Sequence, residues 1–268
     1  IAPELHLKRL LVGGLERVYE MNRCFRNEGI DTRHNPEFTT VELYQAFGDL
    51  EDVIRITEEL VSELALKLYG TTKITYIDKE IELAAPWNRM TMIEAVEKYT
   101  GKDFSKVETV EEARKIADEL HVEYGEYDGI GKIINACFED YVEENLIHPT
   151  VITGHPLEIS PLTKQDASNP LLTHRFEAFI YGRELANGFS ELNDPLDQRD
   201  RFIKQMEERA HGDDEAHQMD EDYCRALEYG MPPAGGLGIG IDRLVMFLTN
   251  SPSIRDVLLF PLSRPEQK

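Results

Sequence analysis

The chain has 268 residues and a formal net charge of −22, because 51 acidic residues outnumber 29 basic ones. A composition of 41% hydrophobic and 30% charged residues can bury a core, so the sequence is not that of a disordered polymer. The excess of acidic residues argues against a protein that binds nucleic acid over its whole surface. The apolar runs are far shorter than the roughly 18 residues of a membrane span, so the sequence predicts no membrane-spanning helix.

In chain order, the first predicted elements are a helix over 4–13, strands over 15–28 and 38–47, a helix over 49–69 and a small hairpin over 73–83. Mostly helical sequence over 91–146 is followed by a strand over 150–153, loops over 154–174 and two strands within 176–194. The last predicted elements are acidic helical sequence over 195–229, a glycine-rich strand over 235–240 and a helix over 241–248. The long helix is predicted to begin after Asp49 and to end at Gly70. Antiparallel strands with segregated helices indicate an α+β fold rather than a doubly wound parallel sheet.

The cysteines and the first residues bear on the setting of the protein. Cys24, Cys137 and Cys224 are far apart and form no CxxC pair, which argues against a zinc ribbon or a disulfide scaffold and favours a reducing cytoplasm. The opening residues lack the pattern of a secretory signal. The sequence starts on structured-looking apolar residues without a methionine, so we expect the natural N-terminus to lie upstream.

The glycine-rich segment AGGLGIGIDR matches neither of two phosphate-binding motifs, the dinucleotide fingerprint and the P-loop. A dinucleotide fingerprint would need a glycine where Arg243 or Ile241 stands, and a P-loop would need a lysine at Ile241. What remains is a strand that meets a helix whose first turn carries Asp242 and Arg243. An arginine beside a helix N-terminus suits a phosphate, and a tightly packed strand–helix joint is the equally open alternative.

The predicted first hairpin has an unusually long tip, at residues 29–37, which is typical of a binding loop. Arg26, on one side of this tip, and the Arg33–His34 pair within it can hold two phosphates from different sides. Phe38 begins the return strand and can stack on a base. Taken alone, Arg26 and Glu28 could instead form a cross-strand ion pair of little energetic value.

The segment RELANGFSELND places polar residues on a predicted strand. Asn187, Phe189 and Glu191 alternate, so they share one face. Glu184 is seven residues from Glu191, so on a regular strand the two would lie on opposite faces, and a bulge at Gly188 would bring them together. A solvated edge strand with unpaired carboxylates is the alternative.

A second strand carries a candidate cation site. Glu42 and Tyr44 share a strand face, and a carboxylate in a restricted pocket would bind an ammonium group. Glu42 could equally be an ordinary exposed strand residue.

These motifs resemble a known family. FRNE, RHNPEFT and GLGIGIDR resemble motifs 2 and 3 of the class II aminoacyl-tRNA synthetases. IAPELHLKRLLVGG, RELANGFSELND and GDDEAHQMDEDYCRALEYGMPP resemble, among these, the lysyl-tRNA synthetases, over essentially the whole chain. The resemblance implies one catalytic domain over 1–268, built on an antiparallel sheet flanked by helices, with a helical insertion at about 90–150. The family's motif 1 and its OB anticodon-binding domain have no counterpart here, so the chain resembles the C-terminal part of the catalytic domain.

The resemblance also implies an ATP-dependent ligase that joins lysine and ATP into lysyl-adenylate and passes lysine to tRNA(Lys). Arg26 matches the arginine at the α-phosphate, Glu28 the reader of the adenine amino group, and Arg33 and His34 the residues at the β- and γ-phosphates. Glu184 and Gly240 also match ATP-binding residues. Phe38 and Arg243 match the two residues that stack on opposite faces of the adenine, and Arg243 also matches a residue that reaches the γ-phosphate. Arg26 and Arg243 match the catalytic pair.

For lysine, Glu42 and Tyr44 match the side-chain readers, and an acidic Glu42 argues against an aspartyl enzyme. Glu4 and Asn187 match the residues at the α-amino and carboxylate ends, Phe189 and Glu191 also match the lysine site, and Glu184 with Glu191 matches two Mg²⁺ ligands. The family implies a cytoplasmic homodimer without a membrane. The alternatives are a paralogue that lysylates a protein such as elongation factor P, and a noncatalytic binding module, which the filled catalytic positions disfavour.

Overall fold

A seven-stranded mixed sheet forms the centre of the computed structural model, which describes residues 2–27, 29–212 and 216–262. The strands are β1 Arg17–Phe25, β2 Glu37–Ala46, β3 Lys73–Tyr76, β4 Lys79–Glu82, β5 Asn88–Thr91, β6 Thr150–Thr153, β7 Arg175–Ile180, β8 Arg183–Ser190 and β9 Ala234–Gly240. The α-helices are α1 Glu4–Val12, α2 Leu50–Tyr69, α3 Met92–Thr100, α4 Val110–Leu120, α5 Ile130–Tyr141, α6 Pro195–Ala210, α7 Glu221–Glu228 and α8 Ile241–Thr249. The central sheet has the order β1-β2-β9-β8-β7-β6-β5, and β3 and β4 form a separate hairpin.

The long-tipped hairpin is confirmed and pairs β1 with β2. Its antiparallel register runs from Arg17 opposite Gln45 to Phe25 opposite Glu37. β2 then pairs with β9, and β9 with β8, so that Glu42 and Asn187 both lie opposite Gly238. The three middle strands therefore bring the two polar residues to one row of the sheet, with a glycine between them.

Helix α2 covers one face of the sheet. It begins at the predicted cap, where Asp49 and Asp52 form a reciprocal capping box, and ends at Gly70, whose positive φ of 71° suits a residue without a side chain. Val53 and Ile54 are fully buried in a core shared with apolar residues of β7, β8 and β9. Because side chains alternate along a strand, the polar residues of these strands point to the opposite face.

The sheet is not wholly antiparallel, because β5 pairs in parallel with β6. The sequence did not predict this short strand, which stands directly before α3. Parallel neighbours need a long crossover, and α3, α4 and α5 supply it with their own buried cluster around Phe138. The α+β class is confirmed. The division into one domain over 1–268 with a helical insertion at about 90–150 stays a prediction.

The irregularity predicted near Gly188 lies instead at Leu185. The β7–β8 register changes from Ala178 opposite Ala186 to Phe179 opposite Glu184, which leaves Leu185 as the extra residue. Gly188 is a packing glycine, since a Cβ there would lie 2.6 Å from a ring carbon of Phe176 and 2.7 Å from the carbonyl oxygen of Gly236.

Helix α1 docks on β2 and α7. Leu7 and Leu11 are buried with Tyr44 and Tyr223, while the Arg9 guanidinium forms an ion pair with Asp220 at 2.8 Å. In the described part of the chain, every helix is too short or too polar to cross a membrane.

Candidate functional site

The polar face of the sheet borders a cavity of about 660 Å³. Nine predicted site residues line it: Arg26, Arg33, His34, Phe38, Glu42, Glu184, Asn187, Gly240 and Arg243. Glu4, Tyr44, Phe189 and Glu191 form the adjoining cluster described below, and Glu28 lies outside the described residues. A second cavity, of about 560 Å³ beside α6, contains none of the predicted residues.

Arginines from separate elements enter the large cavity. Arg26 lies with its guanidinium carbon 6.0 Å from the Phe38 ring centre. Arg243, in the first turn of α8, donates to the Glu184 carbonyl at 2.6 Å and stands 3.6 Å from the Glu184 carboxylate. Arg33 is 3.5 Å from the Glu144 carboxylate. This spacing of fixed cations around one cavity suits a ligand with several phosphates.

Strand β7 adds to the cavity an arginine and a carboxylate that were not predicted from the sequence. Arg175 donates to Asn187 Oδ1 at 3.0 Å, to the Ile159 carbonyl at 2.7 Å and to Glu177 Oε1 at 2.6 Å. Arg175 and Glu177 are two residues apart on a strand otherwise rich in apolar residues. That alternation was the available signal, since two charged residues on one face of a central strand need a polar environment.

The cavity also gathers carboxylates. Glu177 and Glu184 line it together with Glu143, which follows α5. Burial raises the pKa of Glu184, and the Glu177 charge raises it further. Burial and then the charges of Glu177 and Glu184 raise the pKa of Glu143 to about 7. Among the residues the structure describes, no group of three or more acidic, histidine or cysteine side chains is close enough to form a metal site unaided.

The adjoining cluster combines carboxylates with aromatic rings. Glu42 is 7% exposed and accepts a hydrogen bond from the Tyr44 hydroxyl at 2.9 Å. Burial and the nearby Glu4 raise the pKa of Glu42 to about 7, although Tyr44 and Lys8 act in the opposite direction. Glu191 is buried at 1% exposure.

Lys8 of α1 occupies the centre of this cluster, a position that no sequence motif indicated. Its fully buried ammonium lies 2.5 Å from Glu4 Oε1 and 2.5 Å from Glu191 Oε2. The same nitrogen is 5.0 Å from the Phe189 ring centre and 5.7 Å from that of Tyr44. The cluster of Glu4, Glu42, Tyr44, Phe189 and Glu191, here called the ammonium pocket, therefore already holds one alkylammonium.

The predicted metal pairing of Glu184 with Glu191 is not supported. The bulge at Leu185 puts Glu184 on the cavity face, but Glu191 lies one residue beyond the other end of β8, in the ion pair with Lys8. At about 3.3 Å per residue the two are roughly 20 Å apart along the strand. Glu177, across the β7–β8 ladder, is the nearer carboxylate partner of Glu184.

Gly236 leaves room for two side chains of the ammonium pocket. A Cβ at this position would lie 1.9 Å from Glu191 Oε1 and 2.6 Å from a ring carbon of Tyr44. At Gly236, the absence of a side chain therefore allows Glu191 and Tyr44 to pack against the strand. Gly238, which separates Glu42 from Asn187, leaves open space, with the nearest atoms 3.8 Å from a Cβ.

Comparisons with known proteins agree with this geometry. The profile of the family described as tRNA synthetases class II (D, K and N) matches residues 1–264. The chain is 60% identical over its whole length to a lysine–tRNA ligase of Pelotomaculum thermopropionicum, and 62% identical over 99% of its length to one of Carboxydothermus hydrogenoformans. A lysine–tRNA ligase of Bacillus cereus is 59% identical over the whole chain. The chain spans about half the length of these relatives, at 53%, 54% and 54%.

Proposed function

Because the chain belongs to the class II tRNA synthetases (D, K and N), we propose that it activates lysine with ATP and serves lysine–tRNA ligation. The observation that carries the proposal is the ammonium pocket, which adjoins an arginine-lined cavity and already accommodates the side chain of a lysine. The relatives named lysine–tRNA ligase support the same substrate. An aspartate enzyme would need a cation facing the substrate side chain, where Glu42 stands here.

The reaction requires no nucleophile from the protein. An oxygen of the lysine carboxylate attacks the α-phosphorus of ATP, the bond between the α-phosphorus and the bridging oxygen breaks, and pyrophosphate leaves with that electron pair. Arg26 would hold the α-phosphate in line for attack, and Arg33, His34 and Arg243 would bind the outer phosphates. Catalysis then consists of positioning the reactants and stabilising the negative charge that develops on phosphorus.

The two ends of lysine would be read separately. Glu42 and Glu191 would bind the ε-ammonium, while Tyr44 and Phe189 would pack on the methylene groups. Asn187, which lines the large cavity, would orient the carboxylate. Glu4, now paired with Lys8, stays the proposed partner of the α-amino group.

Glu177 and Glu184 fit a Mg²⁺ ion better than the originally predicted pair. Mg²⁺ is commonly bound by one or two carboxylates together with substrate phosphates, and the mutual repulsion of these two carboxylates provides a reason to bind a cation. When bound, the ion would neutralise charge on the phosphates of ATP.

The remaining family properties are proposals about the whole protein. We infer tRNA(Lys) as the acceptor, a cytoplasmic location and a homodimer. Exposed apolar side chains on the edge strand β1 support a further interface: Tyr19 is 76% exposed and Met21 58% exposed. Because the net charge is −22, most of this chain's surface would repel tRNA, so tRNA would bind mainly elsewhere on the whole protein.

Amino-acid-dependent ATP–pyrophosphate exchange tests the proposed function. We expect exchange with lysine and only background exchange with aspartate or asparagine, the substrates that the family description also covers. Incubation of the lysine-activating protein with tRNA(Lys) and, separately, with elongation factor P then distinguishes the two acceptors. Exchange that depends on aspartate or asparagine, or the absence of lysine-dependent exchange, would contradict the proposal.

A further inference from the structure

Lys8 is a buried charged group that the proposed reaction leaves without a role. Its ammonium is inaccessible to solvent and contacts two carboxylates of the ammonium pocket, one from its own helix and one from the end of β8. A lysine is seldom fully buried unless it is paired, so this position is a specific feature of the pocket. This ammonium could either compete with the substrate ammonium or orient the carboxylates that bind it.

The two oxygens of Glu191 differ in their surroundings. Oε2 forms the ion pair with Lys8 at 2.5 Å, although without hydrogen-bond geometry. Oε1 is buried and has no hydrogen-bond partner among the described residues. It faces the Cα of Gly236, where even a methyl group would collide with it. A buried carboxylate oxygen ordinarily has a donor, so Oε1 retains an unused capacity to accept a hydrogen bond.

The charge of the ammonium pocket also equals, with opposite sign, that of the two ammonium groups of lysine only when Lys8 is counted. Glu4, Glu42 and Glu191 contribute three negative charges when ionised, and Lys8 contributes one positive charge, which leaves 3 − 1 = 2. Free lysine brings two ammonium groups. Three carboxylates without an internal cation would repel one another in a poorly solvated region, and one of them would take up a proton.

Building on the proposed function, we propose that Lys8 is a positioning residue for lysine recognition: it holds Glu191 by one carboxylate oxygen and leaves the other oxygen to the ε-ammonium of the substrate. Lys8 thereby favours the charged form of Glu191 and fixes the orientation of its carboxylate. The two ammonium groups bind to opposite oxygens of one carboxylate, so Lys8 does not compete with the substrate.

The electrostatics of Glu191 support this role. Burial raises the pKa of Glu191, Lys8 lowers it, and Glu4 and Glu42 raise it again, with a net upward shift. The charged and titratable groups that face Glu191 are Lys8 and Glu4 from α1, Glu42 and Tyr44 from β2, and Tyr223 from α7. Without Lys8 the pKa of Glu191 would be higher still, and a protonated acid attracts an ammonium group much less than a carboxylate does.

Replacement of Lys8 by methionine, which keeps the length and removes the charge, tests the proposal. We expect Lys8→Met to raise the KM for lysine in ATP–pyrophosphate exchange more than about tenfold, because it removes one partner of a buried charge pair, while the KM for ATP changes less than about twofold. Arg9→Met is the matched control, since it breaks the α1–α7 ion pair on the same helix and leaves the pocket intact. It should leave the KM for lysine within about twofold.

The outcomes separate the possibilities. A lower KM for lysine in Lys8→Met would identify Lys8 as a competitor and overturn the proposal, and an unchanged KM would overturn it as well. Equal increases in Lys8→Met and Arg9→Met would assign the effect to helix docking, which also contradicts it. Absence of lysine-dependent exchange in the unmodified protein would instead refute the proposed function.

A structure of the unmodified protein with bound lysine decides the point even if Lys8→Met fails to fold. The proposal predicts that Lys8 stays on Glu191 Oε2 and that the substrate ε-ammonium lies on Oε1. A structure in which Lys8 has left Glu191 and the substrate has taken its place would overturn it.

Discussion

Glu42→Gln should separate lysine recognition from ATP binding. Glu42 is 7% exposed, belongs to the ammonium pocket and also lines the large cavity. Loss of the charged partner of a buried cation costs about 3–5 kcal/mol. Glu42 has a pKa raised to about 7 and shares the cation with Glu191, so we take the lower limit of about 3 kcal/mol. At about 1.4 kcal/mol per factor of ten, the KM for lysine should rise roughly a hundredfold.

The assay is ATP–pyrophosphate exchange, with lysine varied at saturating ATP and then ATP varied at saturating lysine. The KM for ATP should change less than about threefold, because the arginines of the cavity are untouched. Glu58→Gln is the matched control: Glu58 is 4% exposed and accepts from the Trp87 amide at 3.2 Å, outside the residues that line the cavity. Similar increases in both KM values, or an equal effect of Glu58→Gln, would refute the reasoning.

Further predictions concern the pocket and the phosphate site. Gly236→Ala should abolish lysine binding measured by calorimetry, because its Cβ would lie 1.9 Å from a carboxylate oxygen, whereas Gly238→Ala, with 3.8 Å of clearance, should retain it. Arg26→Ala should abolish lysine-dependent exchange with an unchanged melting temperature, because Arg26 is exposed; near-full exchange would contradict its role. The raised pKa of Glu42, about 7, means that the acid is protonated below that pH and must ionise to pair with lysine. Glu191, whose pKa burial raises to about 8, must ionise as well. Calorimetry in buffers of different ionisation enthalpy should therefore detect more proton release on lysine binding near pH ~6 than near pH ~9, and the opposite trend would contradict this sign.

Local signals made much of the fold predictable. The capping residues of α2, the alternation of β1 and β2 and the breaks at glycine each act within a few residues, so the sequence displays them directly. The same alternation predicted that Glu42 and Tyr44 share a face, and their side chains are hydrogen-bonded. Nine of the predicted residues line one cavity, because the strands predicted to carry most of them border it.

The missed features depend on long-range packing. The extra residue at Leu185 changes the side on which Glu184 points, and no glycine or proline marks it. Lys8 meets Glu191 only because α1 docks beside the end of β8, and a single lysine on an amphipathic helix ordinarily indicates a solvated face. Glu177 joins Glu184 through the β7–β8 register, which a one-residue change would reverse.

The most direct test of lysine activation follows the oxygen atoms. Lysine labelled with ¹⁸O in its carboxylate is incubated with the protein, ATP and tRNA(Lys), and the AMP produced is analysed by mass spectrometry. Attack of the carboxylate on the α-phosphorus predicts that one labelled oxygen appears in each AMP, because the bond between that oxygen and the carbonyl carbon breaks on transfer of lysine to tRNA. AMP without label, or ADP and phosphate in place of AMP and pyrophosphate, would contradict the account.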